Sequence, residues 1–478
     1  MSRTVLVPLI VACALFMENL DSTVLSTSLP AIAASLGEDP LRLSLAITAY
    51  LFSLAVFIPI SGWVADRYGA RRVFRAAIVV FVLGSISCGL SGSLPAFVGA
   101  RLLQGIGGAM MVPVGRLVLI RSVAKADLVR AMTYLTVPAL IGPTLGPPLG
   151  GFVTTYLHWR WIFWINVPIG LLGFVLVSRF IPEVKEADPP PLDLSGFLLS
   201  AVGLVGLVFG FETIGRGVVP AWMTTVLLAA GGVFVLAYVR HAQRTPHPVL
   251  DLSLLRVPTF HASIVGGFLF RIGVGAVPFL LPLLLQAGFG LSPFASGQLT
   301  FVASLGALTM KLTAGPILKW LGFRNVLIGN AVVSAAFLGA IGLFRPDTPI
   351  IVMLAVLLAG GFFRSLQFTS INTLAYADIE RAATSRATSF ASMMQQLSLS
   401  VGVGTGALLL HLSLAARGGA RLAAGDFLST FLIVAAISAL SALAYMRLPP
   451  DAGAEVSGRR IAPDAGATSA GRKAAQVR

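Results

Sequence analysis

Apolar runs of about twenty residues recur along nearly the whole chain, separated by short polar turns, and that recurrence leaves little choice of fold. About 20 apolar residues cross the hydrocarbon core of a bilayer, and inside it each backbone amide must bond within its own helix. Hydropathy places spans near residues 5–28, 43–65, 73–92, 95–117, 131–156, 161–181, 194–213, 220–240, 260–285, 295–318, 325–344, 349–371, 387–411 and 427–447, fourteen in all. Only 11% of the 478 residues are charged and 56% are hydrophobic, against about 25% charged in a soluble domain. A soluble enzyme is excluded, and the expectation is an all-α polytopic membrane protein. The first run carries Glu18 and Asp21 and lacks a cleavage signature, so it reads as a retained span.

Charge sets the expected orientation. The chain has a formal net charge of +15, but its basic residues sit singly between apolar runs, which argues for the positive-inside rule and against nucleic acid. With both termini cytoplasmic, 23 of the 34 Lys and Arg residues fall on the cytoplasmic side and 6 on the other. The expected location is the plasma (inner) membrane. The polar stretch from Pro182 to Asp193 holds three consecutive prolines, which exclude a continuous helix. We therefore expect an N-terminal six-helix bundle over 1–181, linker segments with two inserted helices over 182–258, a C-terminal six-helix bundle over 259–448, and a disordered cytoplasmic tail over 449–478. Cys13 and Cys88 both lie in apolar runs and read as packing residues.

Two loops repeat one another. The turn after the second span reads GWVADRYGARR, with Gly62, Asp66, Arg67, Gly69, Arg71 and Arg72; the turn after the tenth reads GPILKWLGFRN, with Gly315, Lys319, Gly322 and Arg324. From the first glycine the offsets are the same, and repeats of this kind mark transporter halves with a substrate path between them. Gly62, Asp66, Arg67, Gly69 and Arg71 are expected to form a cytoplasmic latch: glycines allow a tight turn between helix ends, and Asp66 could cap a helix or pair with an arginine.

The first of these loops resembles the signature between spans 2 and 3 of the major facilitator superfamily. Three further stretches agree. RLLQGIGGAMMVP on span 4 is similar to the superfamily's motif with Arg101, Gln104, Gly105 and Gly107. IGPTLGPPLGG on span 5 resembles the antiporter motif of drug exporters, at Gly142, Pro143, Gly146, Pro147, Gly150 and Gly151. LDSTVLSTSLP on span 1 and WRWIFWINVPIG resemble the fourteen-span drug:proton antiporter branch, and SGFLLSAVG, FRIGVGAVPF and SINTL extend the similarity over most of the chain. The resemblance implies two six-helix bundles plus two inserted helices, working by alternating access. It also implies proton-coupled efflux of amphipathic drugs or toxic compounds. Two positions depart from the pattern: Lys319 stands where the first half has Asp66, and Glu18 stands where relatives are expected to carry a neutral polar residue.

Six ionisable residues lie well within spans: Glu18, Asp21, Arg101, Arg271, Lys311 and Arg364. Each would cost about 2.5 to 3.5 kcal/mol at a helix centre without a partner or water, so they should face a cavity or one another. Glu18 and Asp21, three residues apart, share a helix face, as a proton carrier requires. Arg101 is the expected charge switch against them. Tyr50, Gln104, Arg271 and Lys311 are the expected cavity positions. The second-half cations keep an anionic or zwitterionic substrate open, and with it a second reading, a proton-coupled transporter of an organic acid, amino acid or other metabolite. The five histidines show no metal-ligand spacing and GxxxxGK[ST] is absent, so no metal, cofactor or ATP-driven chemistry is expected. The expected partners are a small-molecule substrate, protons and the lipid bilayer, with the protein acting as a monomer.

Overall fold

A computed structural model describes residues 3–122, 128–183, 185, 191–214, 219–380, 383–419 and 422–457, and among these every regular element is a helix. Those of the first six spans are α1 (Arg3–Leu36), α2 (Ser44–Tyr68), α3 (Ala70–Leu90), α4 (Leu94–Ser122), α5 (Leu128–Tyr156), and the pair α6 (Trp161–Trp164) and α7 (Asn166–Phe180). Then come α8 (Leu194–Thr213) and α9 (Ala221–Ala242). The last six spans are α10 (Pro258–Leu283), α11 (Pro293–Leu321), α12 (Phe323–Ile341), α13 (Ile350–Leu374), α14 (Thr384–Arg417), and the pair α15 (Ala424–Ala439) and α16 (Ser441–Met446). Among the described residues thirteen helical segments are long and apolar enough to cross a membrane. The 29-residue α5 joins them as the fourteenth helix of that size. The first nine residues of the expected tail, 449–457, are described and are ordered rather than extended coil, with a helical turn at Ala454–Ser457 and with Ala452 and Ala454 buried. Residues 458–478, and residues 184 and 186–190 of the proline-bearing stretch, lie outside the described residues.

Pairing follows one scheme twice. In the first six spans α1 packs on α5 and α7, α2 and α3 on α4, and α3 on α7; in the last six α10 packs on α14 and α15, α11 and α12 on α13, and α12 on α15 and α16. The two sets meet mainly through α2 with α14 and α5 with α11, which is one contact exchanged by the repeat. The repeated loops show it at close range. Gly69 and Gly322 adopt φ of +97° and +78°, and their amides bond to the carbonyls of Ala65 and Leu318 at 2.9 Å in both turns. Arg71 then donates to the Ile181 carbonyl at the end of α7 (3.4 Å), and Arg324 to the Met446 carbonyl at the end of α16 (3.3 Å).

The helices approach closely because glycines remove the side chains between them, the usual device where no hydrophobic effect drives helices together in lipid. In α8, Gly203 and Gly206 rest on the backbone of α9 around Gly231, so these two helices form a hairpin that lies against α2 and α14. Asp193 caps α8: it accepts from the Gly196 amide at 2.8 Å and from His241 Nε2 at 2.7 Å. Burial pushes its carboxyl up, but these donors hold it below the usual carboxylate range. Large apolar side chains such as Leu312, Ile351, Trp222 and Trp320 stand exposed around the outside, as a lipid-facing belt requires.

Gly306 of α11 has no room for a side chain, since a Cβ there would collide with the Leu358 carbonyl of α13, whereas nothing lies within 4 Å of a Cβ on Gly329. Gly306→Ala should destabilise the protein by about 1–3 kcal/mol and lower the apparent melting temperature in detergent. Gly329→Ala should leave it unchanged or slightly raised.

Candidate transport site

Span 1 is apolar all round except at a short stretch where its polar residues gather, and that stretch turns into the centre of the molecule. Asp21 is held there by three donors. Arg101 Nη1 reaches Oδ2 at 2.6 Å, while Gln104 Nε2 and Asn166 Nδ2 reach Oδ1 at 2.9 and 2.8 Å. Asn166 also donates to Ser85 Oγ at 2.9 Å. Arg101 donates further to Gln104 Oε1 (2.6 Å) and to the Ala46 carbonyl (3.4 Å), and its guanidinium lies 4.3 Å from the centre of the Tyr50 ring. The two ion-pair side chains are 1% and 2% exposed. One carboxylate thereby ties together α1, α2, α3, α4 and α7. A buried ion pair is tolerable only when further hydrogen bonds satisfy its remaining atoms, and this cluster supplies them.

Glu18, one turn earlier, is buried, and its Oε2 has no hydrogen-bond partner among the described residues; the same holds for the Tyr50 hydroxyl. Both approach Gly108, where a Cβ would stand 3.0 Å from Tyr50 Oη and 3.7 Å from the Glu18 carboxyl carbon. The two acids thus share a face but differ in partners.

A cavity of about 400 Å³ lies between the two sets of six spans. Span 1 contributes Thr23 and Ser26, span 5 contributes Pro143 and Pro147, and the remaining wall comes from α10 to α13 and α15, including Lys311 and Arg364. Of the four expected cavity positions, Lys311 lines it, donating to Thr369 Oγ1 at 2.7 Å. Tyr50 and Gln104 are buried within the Asp21 cluster. Arg271 is buried behind the wall, donating to Asn372 Oδ1 at 2.7 Å with its guanidinium 5.2 Å from the ring of Phe368. Neither Glu18 nor Asp21 lines the cavity.

Span 5 fits between the halves by two glycine faces. Gly142, Gly146 and Gly150 lie on the backbone or Thr23 and Thr27 side chains of α1, while Gly151 meets the Pro293 carbonyl at the start of α11. Gly297 of α11 returns the contact, meeting the Pro147 carbonyl. The same end is closed by Phe152, Tyr156 and Phe294, with ring centres 5.1 to 6.2 Å apart. It is closed further by Gln286 Nε2 donating to the Thr27 carbonyl at 2.9 Å. At the opposite, basic end a Cβ on Gly62 or Gly315 would meet nothing within 4 Å. In the first loop Asp66 is half-buried and Arg67 exposed. Glu183 reaches this loop from the segment after α7, accepting from the Arg71 amide at 3.2 Å and lying 3.6 Å from both the Arg71 and Arg72 side chains.

Several of these residues escape a linear reading. Asn166, Ser85 and Glu183 carry contacts that no spacing announced. The Arg101–Gln104 pair of α4 has a counterpart at Arg364 and Gln367 of α13, with the same three-residue offset; Gln367 bonds to Asn330 Nδ2 at 2.9 Å and to the Leu327 carbonyl at 3.0 Å. That repeat was available in the sequence as R-x-x-Q on spans 4 and 12.

Two contacts exchanged by the repeat, a central cavity and a buried ion-pair cluster fit a transporter of two matched halves, and the chain belongs to the Major Facilitator Superfamily, whose model matches residues 11–403 and 263–473. It is 40% identical over 454 residues to the protein of Salmonella typhimurium named "Putative multidrug resistance protein MdtD", covering 92% of this chain and 94% of the relative. The similarly named protein of Salmonella typhi is 39% identical with the same coverage. Among solved structures, a D-xylose-proton symporter superposes with a TM-score of 0.68 at 16% identity, over 95% of this chain and 99% of that one. The human organic anion transporter MFSD10 superposes with a TM-score of 0.60 at 15% identity, over 93% and 100%. At such identities these two show the fold alone. The chain is an integral membrane protein of this superfamily.

Breaking one side of the Asp21–Arg101 pair strands a buried charge, which typically costs about 3–5 kcal/mol. Arg101→Leu alone should therefore destabilise more than Arg101→Leu combined with Asp21→Asn. A double-mutant cycle read from unfolding in detergent should return a coupling of at least about 1 kcal/mol.

Proposed function

We propose that this transporter exports amphipathic compounds in exchange for protons by alternating access. The first and last six spans act as two halves, with the basic end and both termini in the cytoplasm and the membrane being the plasma (inner) membrane. Relatives named for multidrug resistance over nearly their full length support the export direction, and the excess of Lys and Arg on one side supports the orientation.

One observation carries the mechanism. Within two turns, α1 bears the ion-paired Asp21, the cavity residues Thr23 and Ser26, and Thr27, whose carbonyl and hydroxyl take part in closing the far end through Gln286 and Pro147. A change at Asp21 therefore has a short, stiff route to both cavity and seal. While Asp21 is ionised, Arg101, Gln104 and Asn166 lock α1 to α4 and α7. Protonation neutralises the carboxylate, the charge-assisted bond to Arg101 weakens, and α1 is released to shift against α4. Glu18, on the same face with a bare oxygen, is the position that relays the proton. Because neither acid lines the cavity, coupling acts through α1 rather than by direct contest for one carboxylate. Release of the far end opens the cavity outward, and deprotonation toward the cytoplasm restores the lock.

The test uses purified protein in liposomes with a pH-sensitive dye inside, challenged with a panel of amphipathic compounds. Compounds that are transported should move protons in the opposite direction, and Asp21→Asn should abolish that movement by at least tenfold while the folded protein persists. Proton movement that survives Asp21→Asn would overturn the coupling assignment. Transport of the panel with no proton movement in the native protein would overturn antiport itself.

A further inference from the structure

The two halves match in helix pairing but not in charge. In the first half the buried Arg101 is neutralised by Asp21. In the second half Arg271, Lys311 and Arg364 have no carboxylate partner among the described residues; Arg271 donates to the neutral Asn372 and Lys311 to the neutral Thr369. Lys311 and Arg364 both line the central cavity, and no carboxylate lines it among the described residues. Each stands ten residues before the basic end of its helix, Lys311 in a helix ending at Leu321 and Arg364 in one ending at Leu374, which is about 15 Å along the axis. They therefore flank the cavity at one depth, on the side of the basic end. Arg271 adds a third positive charge just behind Phe368. Beyond them the wall is apolar or weakly polar, with Phe337, Leu338, Val277 and Leu281 and a scatter of Ser and Thr hydroxyls.

Cations are expensive in a low-dielectric interior unless a counter-charge is near. Here the protein provides that charge to one half and withholds it from the other, along the wall of the central cavity. We propose that the occupant of this cavity is an amphipathic organic anion, its acidic group held between Lys311 and Arg364 and its apolar body lying against the Phe337 and Leu338 side. A lipophilic cation would meet two like charges and no acid to answer it. The positive charge at the cytoplasmic side would also draw anions in from the cytoplasm before the apolar wall accepts the body. This inference rests on the exporter reading and names the charge class of its substrate.

The direct test measures binding of three naphthalene probes that share one ring system and differ in charge: 2-naphthalenesulfonate, 2-naphthalenemethanol and (2-naphthylmethyl)trimethylammonium. The full-length protein is held in nanodiscs of zwitterionic lipid, so that the bilayer itself does not sort the probes. The sulfonate should bind at least tenfold more tightly than the ammonium compound, with the alcohol between. Lys311→Gln with Arg364→Gln should weaken the sulfonate at least tenfold and leave the alcohol unchanged, the alcohol also reporting that the cavity is still folded. Because the native protein alone gives the charge preference, loss of the double variant on expression would not remove the test. Equal or tighter binding of the ammonium probe, or a sulfonate affinity untouched by the double variant, would overturn the anion site. The proton assay separates the two claims: sulfonate binding without proton movement sustains the anion site and overturns coupling, whereas proton movement driven by the ammonium probe alone sustains coupling and overturns the anion site.

Discussion

A single carboxylate in a membrane interior organises the first half of this protein. Asp21 draws donors from α4 and α7 and, through Arg101 and Asn166, engages α2 and α3 as well. In water such a group would be solvated anywhere. In the bilayer its charge must be answered by protein, and the answer takes in five helices. The lock is therefore strong while the carboxylate is ionised and conditional on that ionisation. A device that must rest in one state and be released by a proton needs both properties.

The position of the lock makes it consequential. The residues that line the cavity and seal the far end follow Asp21 on the same helix, and span 5 presses its glycines onto that helix from one side while touching α11 with the other. Pro147 takes part in both contacts, lining the cavity, meeting Thr27 and lying against Gly297. Small residues let backbones touch, and touching backbones transmit a shift of one helix with little loss. The second half repeats the pairing but spends its polar residues differently: Gln367 braces α13 against α12, and Arg364 is left facing the cavity. Under the proposed mechanism, symmetry of fold with asymmetry of charge leaves proton handling to one half and the substrate's polar group to the other.

Much of the architecture was legible in the chain because the bilayer allows few solutions. Span count, the repeated loop glycines and the meeting of Asp21 with Arg101 all follow from rules that hold whatever the tertiary detail. The loop glycines were legible because a positive φ at the turn demands them. What escaped was the rotation of each helix about its own axis. Asn166 sits in an apolar run with no polar face to announce its direction, so nothing local says that it points at Asp21. Tyr50 and Gln104 were expected in the cavity and instead pack within the ion-pair cluster, for the same reason. Glu183 was hidden differently. It lies in the polar segment after span 6, and only the return of that segment to the α2–α3 turn brings it to Arg71 and Arg72.

The central claim is that opening the Asp21–Arg101 pair shifts the protein between its two orientations. It is tested most directly by spin labels at Tyr68 and Trp320, exposed positions at the basic ends of α2 and α11, in a background with Cys13→Ala and Cys88→Ala. Interlabel distances are measured in lipid nanodiscs at acid and alkaline pH. The account predicts two distance populations whose ratio changes with pH in the otherwise native protein. In Asp21→Asn the acid-state population should dominate at both pH values. A pH-dependent exchange that persists undiminished in Asp21→Asn would contradict the account and place the switch at another group.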